Sequence, residues 1–310
     1  MTQTTSAPLL RLGTRGSPLA LTQARMVRAA LCTAHGWGDD AIAIVIIKTT
    51  GDKVQDRALA EIGGKALWTK ELDRAILAKE IDIAVHSMKD VETIRPAAIT
   101  ISAMLPRADV RDRLIGADSI DTLPHGATIG TSSPRRAAQL QRLRPDLAIT
   151  LLRGNVDTRL AKVASGDIDA TLLAAAGLDR LGRGDVGAAV PIDVMLPAPA
   201  QGAVGIEART DDRATRDLVG AISDAATFRC VMAERALLAA IEGDCHSPIA
   251  ALATLDGGIL SIRAELFSEN GADHVVGHAR SDGNDVMTVK ALADDLIARA
   301  PEPVRALFHA

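Results

Sequence analysis

Short apolar runs alternate with amphipathic stretches through the first two thirds of the chain. The run at 9–13 predicts a strand. Ser17-Pro18 then supplies an N-cap and a proline at the first helical position. LALTQARMVRAALCTAHG carries apolar residues at helical spacing and stops at Gly36. AIAIVIIK (41–48) is rich in β-branched residues and reads as a buried strand. A polar stretch, TTGDKVQDRALAEIGG (49–64), is long for a connection, and such loops are often lids or binding loops. KALWTKELDRAILAKE (65–80) reads as a helix and IDIAVHS (81–87) as a strand. The rhythm then repeats: a strand at 127–131, a helix opened by Ser133-Pro134, a strand at 147–152, a helix in NVDTRLAKVAS, and a strand at 168–175 running into a helix. Strands alternating with helices predict βαβ units and a mostly parallel sheet. Pro191, Pro197 and Pro199 mark an inter-domain connection, after which GAVGIEAR (202–209) is strand-like again.

The last third changes character. A helix over about 224–242 precedes three alternating runs, PIAALATL, GGILSIRAELF and HVVGHARS, separated by Gly257-Gly258 and Asn270-Gly271. This is the pattern of an antiparallel meander. DVMTVKALADDLIARA closes the chain as a helix. The expected fold is therefore α/β, followed by a separate, smaller α+β domain.

Composition narrows the function. The chain has 310 residues, enough for two or three domains. It is 47% hydrophobic but only 2% aromatic, with three Phe, two Trp and no Tyr. That argues against single-stranded nucleic-acid binding, which relies on stacking platforms. The net charge of −4 gives no global basic footprint for nucleic acid either. No apolar run reaches membrane-spanning length, and no charged n-region with an apolar h-region opens the chain. Three cysteines without a CxxC do not form a disulfide framework. A cytoplasmic protein without membrane or nucleic-acid partners is expected.

Arginines cluster where strands hand over to helices. Arg15 lies before the first helix, Arg135 and Arg136 in the first turn of another, and Arg153 and Arg159 around Gly154-Asn155. In open α/β sheets, ligands bind outside the carboxyl ends of strands. Cations at a helix N-terminus oppose its dipole, so Arg135-Arg136 implies a compensating anion. That anion is either a ligand carboxylate or phosphate, or a nearby Asp or Glu of the chain. AVHSMKDV (84–91) ends a strand in His86, Ser87, Lys89 and Asp90. Asp90 is placed to touch a ligand N–H or exchange a proton; the alternative is a local cap or a pair with Lys89. His86 alone reads more simply as a structural histidine. Cys32 and Cys230 fall within amphipathic helices and read as small core residues. Cys245, in EGDCHSP past a helix end, is a loop thiol open to covalent chemistry or an inert loop residue. His246 is its only close metal-ligand partner, so no metal site is expected.

Eight ordered stretches carry a family resemblance: TRGSPLAL, IGGKALWTKEL, DIAVHSMKDV, GTSSPRRAAQL, LRGNVDTRL, AAAGLDRLG, PAPAQGAVGIE and EGDC. Together they resemble the porphobilinogen deaminase (hydroxymethylbilane synthase) family along essentially the whole chain. The resemblance implies two periplasmic-binding-protein-like, doubly wound α/β lobes and a C-terminal α+β domain with a three-stranded antiparallel sheet. The implied boundaries are 1–105 with 198–220, then 106–197, then 221–310. It implies a transferase that adds four porphobilinogens head to tail onto a covalent dipyrromethane cofactor, losing ammonia each time. Hydroxymethylbilane is then released by hydrolysis. It further implies a monomer in the cytoplasm, acting in tetrapyrrole and haem biosynthesis.

By motif position, Asp90 is the implied catalytic group and Cys245 the thioether site. Lys89, Asp90, Thr131, Ser132, Ser133, Arg135, Arg136 and Gly154 would hold the cofactor. Arg15, Ser17, Lys65, Trp68, Arg153, Arg159, Gln201 and Gly202 would meet substrate. The chain departs from the usual pattern at Glu61 (often Lys), Ala66 (Gly), Trp68 (Phe), Pro134 (aliphatic), Asp244 (Gly) and His246 (Gln). A non-enzymatic solute-binding protein for a carboxylated ligand is the competing reading, but it has no use for Cys245 or a third domain.

Overall fold

The computed structural model describes residues 8–48 and 69–308. The first apolar run forms β1 (Leu10–Thr14). Ser17 caps α1 (Pro18–His35) by accepting from the Ala20 amide at 3.3 Å, and Gly36 ends it at φ 67°. β2 (Ile42–Ile46), α2 (Lys70–Leu77), β3 (Ile83–Ser87) and β4 (Ile99–Met104) follow. The chain then crosses into β5 (Asp112–Ile115), β6 (Thr128–Gly130), α3 (Pro134–Leu143) and β7 (Ala148–Thr150). α4 (Val156–Ala164), β8 (Ala170–Ala174), α5 (Ala175–Arg180) and β9 (Ala188–Ala189) complete that lobe. It crosses back to β10 (Val204–Arg209) and α6 (Arg213–Gly220). The remainder is α7 (Ala225–Ala240), β11 (Ile249–Asp256), β12 (Ile259–Phe267), β13 (His274–Ser281), α8 (Asp285–Arg299) and α9 (Glu302–Arg305).

Both five-stranded sheets are mixed, where alternation alone predicts mostly parallel ones. The first has the order β2-β1-β3-β10-β4, with β1 parallel to β2 and β3, and β10 antiparallel to β3 and β4. The second has the order β7-β6-β8-β5-β9, with β6 parallel to β7 and β8, and β5 antiparallel to β8 and β9. In each sheet the reversed strand is the one that arrives from the other lobe. A strand entering across the cleft starts at the edge where the parallel strands end, so it runs the opposite way. The pattern also leaves β4, β5, β9 and α6 unpredicted. β5 has four residues and β9 two, and α6 buries only Thr215 and Val219, so these three carry too little periodicity to read.

The two crossings touch. The Ala108 amide donates to Gly202 O at 3.2 Å. Gly202 has φ 85°, and a Cβ there would stand 2.7 Å from Ala108 O. Only glycine allows both the left-handed backbone and the close approach.

The C-terminal sheet β11-β12-β13 is the expected antiparallel meander. One face packs on α7 and α8 through Leu237, Ile241, Ile262, Leu266, Leu292 and Leu296. Ala250, Leu252 and the fully buried Phe267 meet Ala138 of α3 and Leu196 in the second lobe. Val231 of α7 meets Met88, Val91, Met104, Ala200 and Ala203 on the first. Each fully buried large apolar side chain contributes about 1.5–3 kcal/mol, so this unit is held firmly against both lobes. Among the described residues no helix is long and apolar enough to cross a membrane.

Candidate active site

The C-terminal ends of the parallel strands open onto one cleft of about 830 Å³, with residues of α7 and the 244–249 segment as its third wall. Arg15, Lys48, Lys89, Arg135, Arg136, Arg153, Arg159 and Arg235 line it, against Asp90, Asp157 and Asp244. An acidic chain thus concentrates positive charge in one place, where walls of low dielectric strengthen its field.

Ser133 caps α3 by accepting from the Arg136 amide, with Pro134 at the first helical position. The anion that compensates Arg135 and Arg136 is Asp112, the first residue of β5. Its Oδ2 accepts from Arg135 Nη2 at 2.8 Å and its Oδ1 from Arg136 Nη2 at 2.7 Å. Gln201 Nε2 adds a third bond to Oδ1 at 3.0 Å. Pairing within the chain is therefore realised, but both arginines are buried and share one carboxylate, so the cluster keeps a net positive charge. Arg135 Nε, Arg136 Nε and Arg153 Nη1 are buried donors without a partner among the described residues. Sequence reasoning missed Asp112, whose only signal is an aspartate opening a short apolar run.

Burial pushes the Asp112 carboxyl up, but the two guanidiniums outweigh it and hold it far below the usual carboxylate range. A carboxyl depressed in this way contributes stability that is complete above its unfolded pKa and is lost as pH falls through the folded value. Asp112→Asn leaves two buried cations without their counter-ion. It is expected to destabilise the protein by about 3–5 kcal/mol at neutral pH, and by less in strong acid, as measured by denaturant titration at both pH values.

β3 delivers the next group. A single 3-10 turn, Met88–Asp90, swings Lys89 and Asp90 to the cleft. Met88 anchors it, buried, with its amide donating to Ala203 O at 3.1 Å. Asp90 lies within electrostatic reach of Lys89, Arg159 and Cys245. Burial lowers the Lys89 ammonium to about 8, opposed by Asp90. His86 points away into β10, with Nε2 3.0 Å from Glu207 Oε2, as a structural histidine would.

Beyond β7, Asn155 caps α4 by accepting from the Thr158 amide at 2.9 Å. Gly154 has φ 108°, and a Cβ there would strike Thr158 at 2.7 Å. Its carbonyl accepts from Arg159 Nε at 3.0 Å. Burial, helped by Arg136, lowers Arg159 to about 10, and it stays charged near neutrality.

Cys245 is the exposed cysteine; Cys32 and Cys230 are buried. It faces the cleft from the turn after α7. Although its side chain reaches solvent, partial desolvation among the cleft walls, with Asp244 and Asp90 adding their charge, pushes its thiol up to about 12.

Of the residues singled out from sequence, Arg15, Ser17, Lys89, Asp90, Ser132, Ser133, Arg135, Arg136, Arg153, Gly154, Arg159, Gln201 and Cys245 line this one cleft. Thr131 and Gly202 stand behind it. The Thr131 hydroxyl accepts from the Ser133 amide at 3.1 Å and shapes the α3 entry, and Gly202 packs the crossing. Lys65 and Trp68 lie outside the described residues.

The cleft suits a ligand bearing several carboxylates, with one carboxylate and one thiol placed for chemistry. Two family models match the chain. "Porphobilinogen deaminase, dipyromethane cofactor binding domain" covers residues 10–217, and "Porphobilinogen deaminase, C-terminal domain" covers 228–298. The chain is 59% identical over 305 residues to a porphobilinogen deaminase of Sphingopyxis alaskensis, spanning 96% of each chain. It is 50% identical over 296 residues to that of Paracoccus denitrificans, spanning 94% of this chain and 95% of the relative. A periplasmic substrate-binding protein of an ABC transporter from Coxiella burnetii superposes with a TM-score of 0.43 at 15% identity, covering 71% of this chain and 94% of its own.

Proposed function

The chain belongs to the porphobilinogen deaminase family, and on that premise we propose that Asp90 is its catalytic carboxylate and Cys245 the attachment point of its dipyrromethane. The reaction joins four porphobilinogens head to tail with loss of ammonia, then releases hydroxymethylbilane by hydrolysis. The observation that carries the site assignment is convergence: Asp90, Cys245 and eight basic side chains from distant parts of the chain line one cleft.

The residues present fit the cofactor. Each pyrrole of this chemistry carries two carboxylate arms, and the cleft holds the orphaned buried donors Arg135 Nε, Arg136 Nε and Arg153 Nη1. Guanidinium forks match carboxylates better than ammonium groups do. When bound, the dipyrromethane supplies a tethered pyrrole carbon as acceptor. Lys89, Thr131, Ser132, Ser133, Arg135, Arg136 and Gly154 are assigned to hold it. Arg15, Ser17, Lys65, Trp68, Arg153, Arg159, Gln201 and Gly202 are assigned to incoming substrate.

Loss of ammonia from porphobilinogen leaves positive charge on the pyrrole nitrogen. The Asp90 carboxylate stabilises that charge where it develops, which favours the transition state over the ground state. The Cys245 thiol is neutral near pH 7, so it must shed its proton as the carbon–sulfur bond forms. The exocyclic carbon–nitrogen bond breaks first and ammonia departs; the sulfur then bonds the cationic methylene carbon, and the released thiol proton is taken up by ammonia as ammonium.

We assign 1–105 with 198–220, 106–197 and 221–310 as three domains; β10 joining the first sheet supports the split first domain. We further propose a monomer, since one chain lines the cleft from three sides, and we place the enzyme in the cytoplasm. Incubation with porphobilinogen checks the reading: ammonia is expected for each porphobilinogen consumed, with hydroxymethylbilane as product. A chain that binds porphobilinogen without releasing ammonia would be a binding protein instead.

A further inference from the structure

We infer that Thr93 and Arg235 are positioning residues that hold the Cys245 turn at a set distance from Asp90; this rests on the roles proposed for those two groups. Cys245 sits at the tip of a turn closed by its own bonds. The Asp244 amide donates to Ser247 Oγ at 3.0 Å, the His246 amide to Asp244 Oδ1 at 2.8 Å, and the Ser247 amide to Asp244 O at 3.1 Å. Such a turn moves as a unit, so its position depends on what holds its base.

The base is held by the segment that carries Asp90. Thr93 Oγ1 donates to Gly243 O at 2.8 Å, two residues before the cysteine. From the other side, Arg235 of α7 is 5% exposed and donates to Val91 O at 3.1 Å, Glu92 O at 2.5 Å and Thr93 O at 3.0 Å. This buried guanidinium is committed to three neutral carbonyls and makes no ion pair among the described residues. It uses charge-assisted bonds to fix backbone. Glu242, just before Gly243, sits at φ 53°. A non-glycine residue keeps that conformation only where its surroundings enforce it. The strut therefore joins the two chemical groups of the cleft through main-chain atoms, and Thr93 and Arg235 line the same cleft.

Reacting atoms must meet at roughly 3–3.5 Å, and a displacement of about 1 Å costs on the order of a hundredfold in rate. Losing the strut should slow chemistry without weakening capture of substrate carboxylates, which other residues perform. Arg235 is buried and its loss threatens folding, so the Thr93 hydroxyl carries the test. Thr93→Val keeps the shape and removes the donor. In the holoenzyme, kcat is expected to fall about tenfold or more with KM nearly unchanged, and Thr93→Ser is expected to restore most of it. A Thr93→Val holoenzyme with the parent kcat, or a Thr93→Ser enzyme as slow as Thr93→Val, overturns the inference. Intact mass of the parent separates the two levels: no added mass on Cys245 would instead overturn the attachment site.

Discussion

Replacing Asp90 by asparagine is expected to lower kcat by about 10²–10⁴-fold while fold and cofactor attachment persist. Asparagine keeps the size and one acceptor oxygen but removes the charge. In this cleft the charge matters more than the shape. Lys89 and Arg159 lie within reach of Asp90, and more basic side chains line the walls. A cationic pyrrole nitrogen formed among them is opposed by every neighbour except a carboxylate. On the proposed assignment Asp90 supplies that carboxylate from a 3-10 turn anchored by the buried Met88, so little reorganisation is needed when the charge appears. On the proposed assignment arginines rather than Asp90 take the substrate carboxylates, so KM should change little. Steady-state kinetics with porphobilinogen, together with intact mass and circular dichroism, checks all three parts. Normal turnover in the variant would remove Asp90 from the mechanism.

Cys245→Ala is expected to abolish both the covalent group and turnover. The parent chain should exceed its sequence mass by that of a dipyrromethane, and the variant should not. Neither of the other cysteines can substitute, because Cys32 and Cys230 are buried in α1 and α7. Partial desolvation in the cleft, with Asp244 and Asp90 close by, keeps the Cys245 thiol protonated near neutrality. A neutral thiol resists oxidation and metal capture, since the thiolate is the reactive form. In the proposed attachment it becomes a nucleophile where a strong electrophile is generated beside it. An active parent chain with no added mass would refute the assignment.

The cleft also reinterprets the composition. With 2% aromatic residues, stacking cannot dominate recognition of a pyrrole ligand. On the proposed assignment guanidinium forks take that part, and the overall charge of −4 conceals how tightly the cations of the cleft are gathered.

Much of this was legible residue by residue. Ser17-Pro18 and Gly36 mark the two ends of α1 as observed. Ser133-Pro134 and Asn155 mark the starts of α3 and α4. The meander turns fall at Gly257-Gly258 and Asn270-Gly271. The Asp90 and Cys245 motifs are legible in the residues alone. These signals are local, because caps, turns and burial faces are set within a few residues of chain. The direction of β5 and β10 is not local: it depends on where the preceding crossing delivers the chain. The partner of Arg135 and Arg136 is not local either, since Asp112 comes from the strand that makes the first crossing. Nor does any spacing bring Thr93 to Gly243. Local pattern thus marks most of the strands and helices and most of the residues able to do chemistry, while β4, β5, β9, α6 and Asp112 escape it. Which of them meet is settled in three dimensions, because an ion pair or a strut forms through space, between segments whose approach no local pattern encodes.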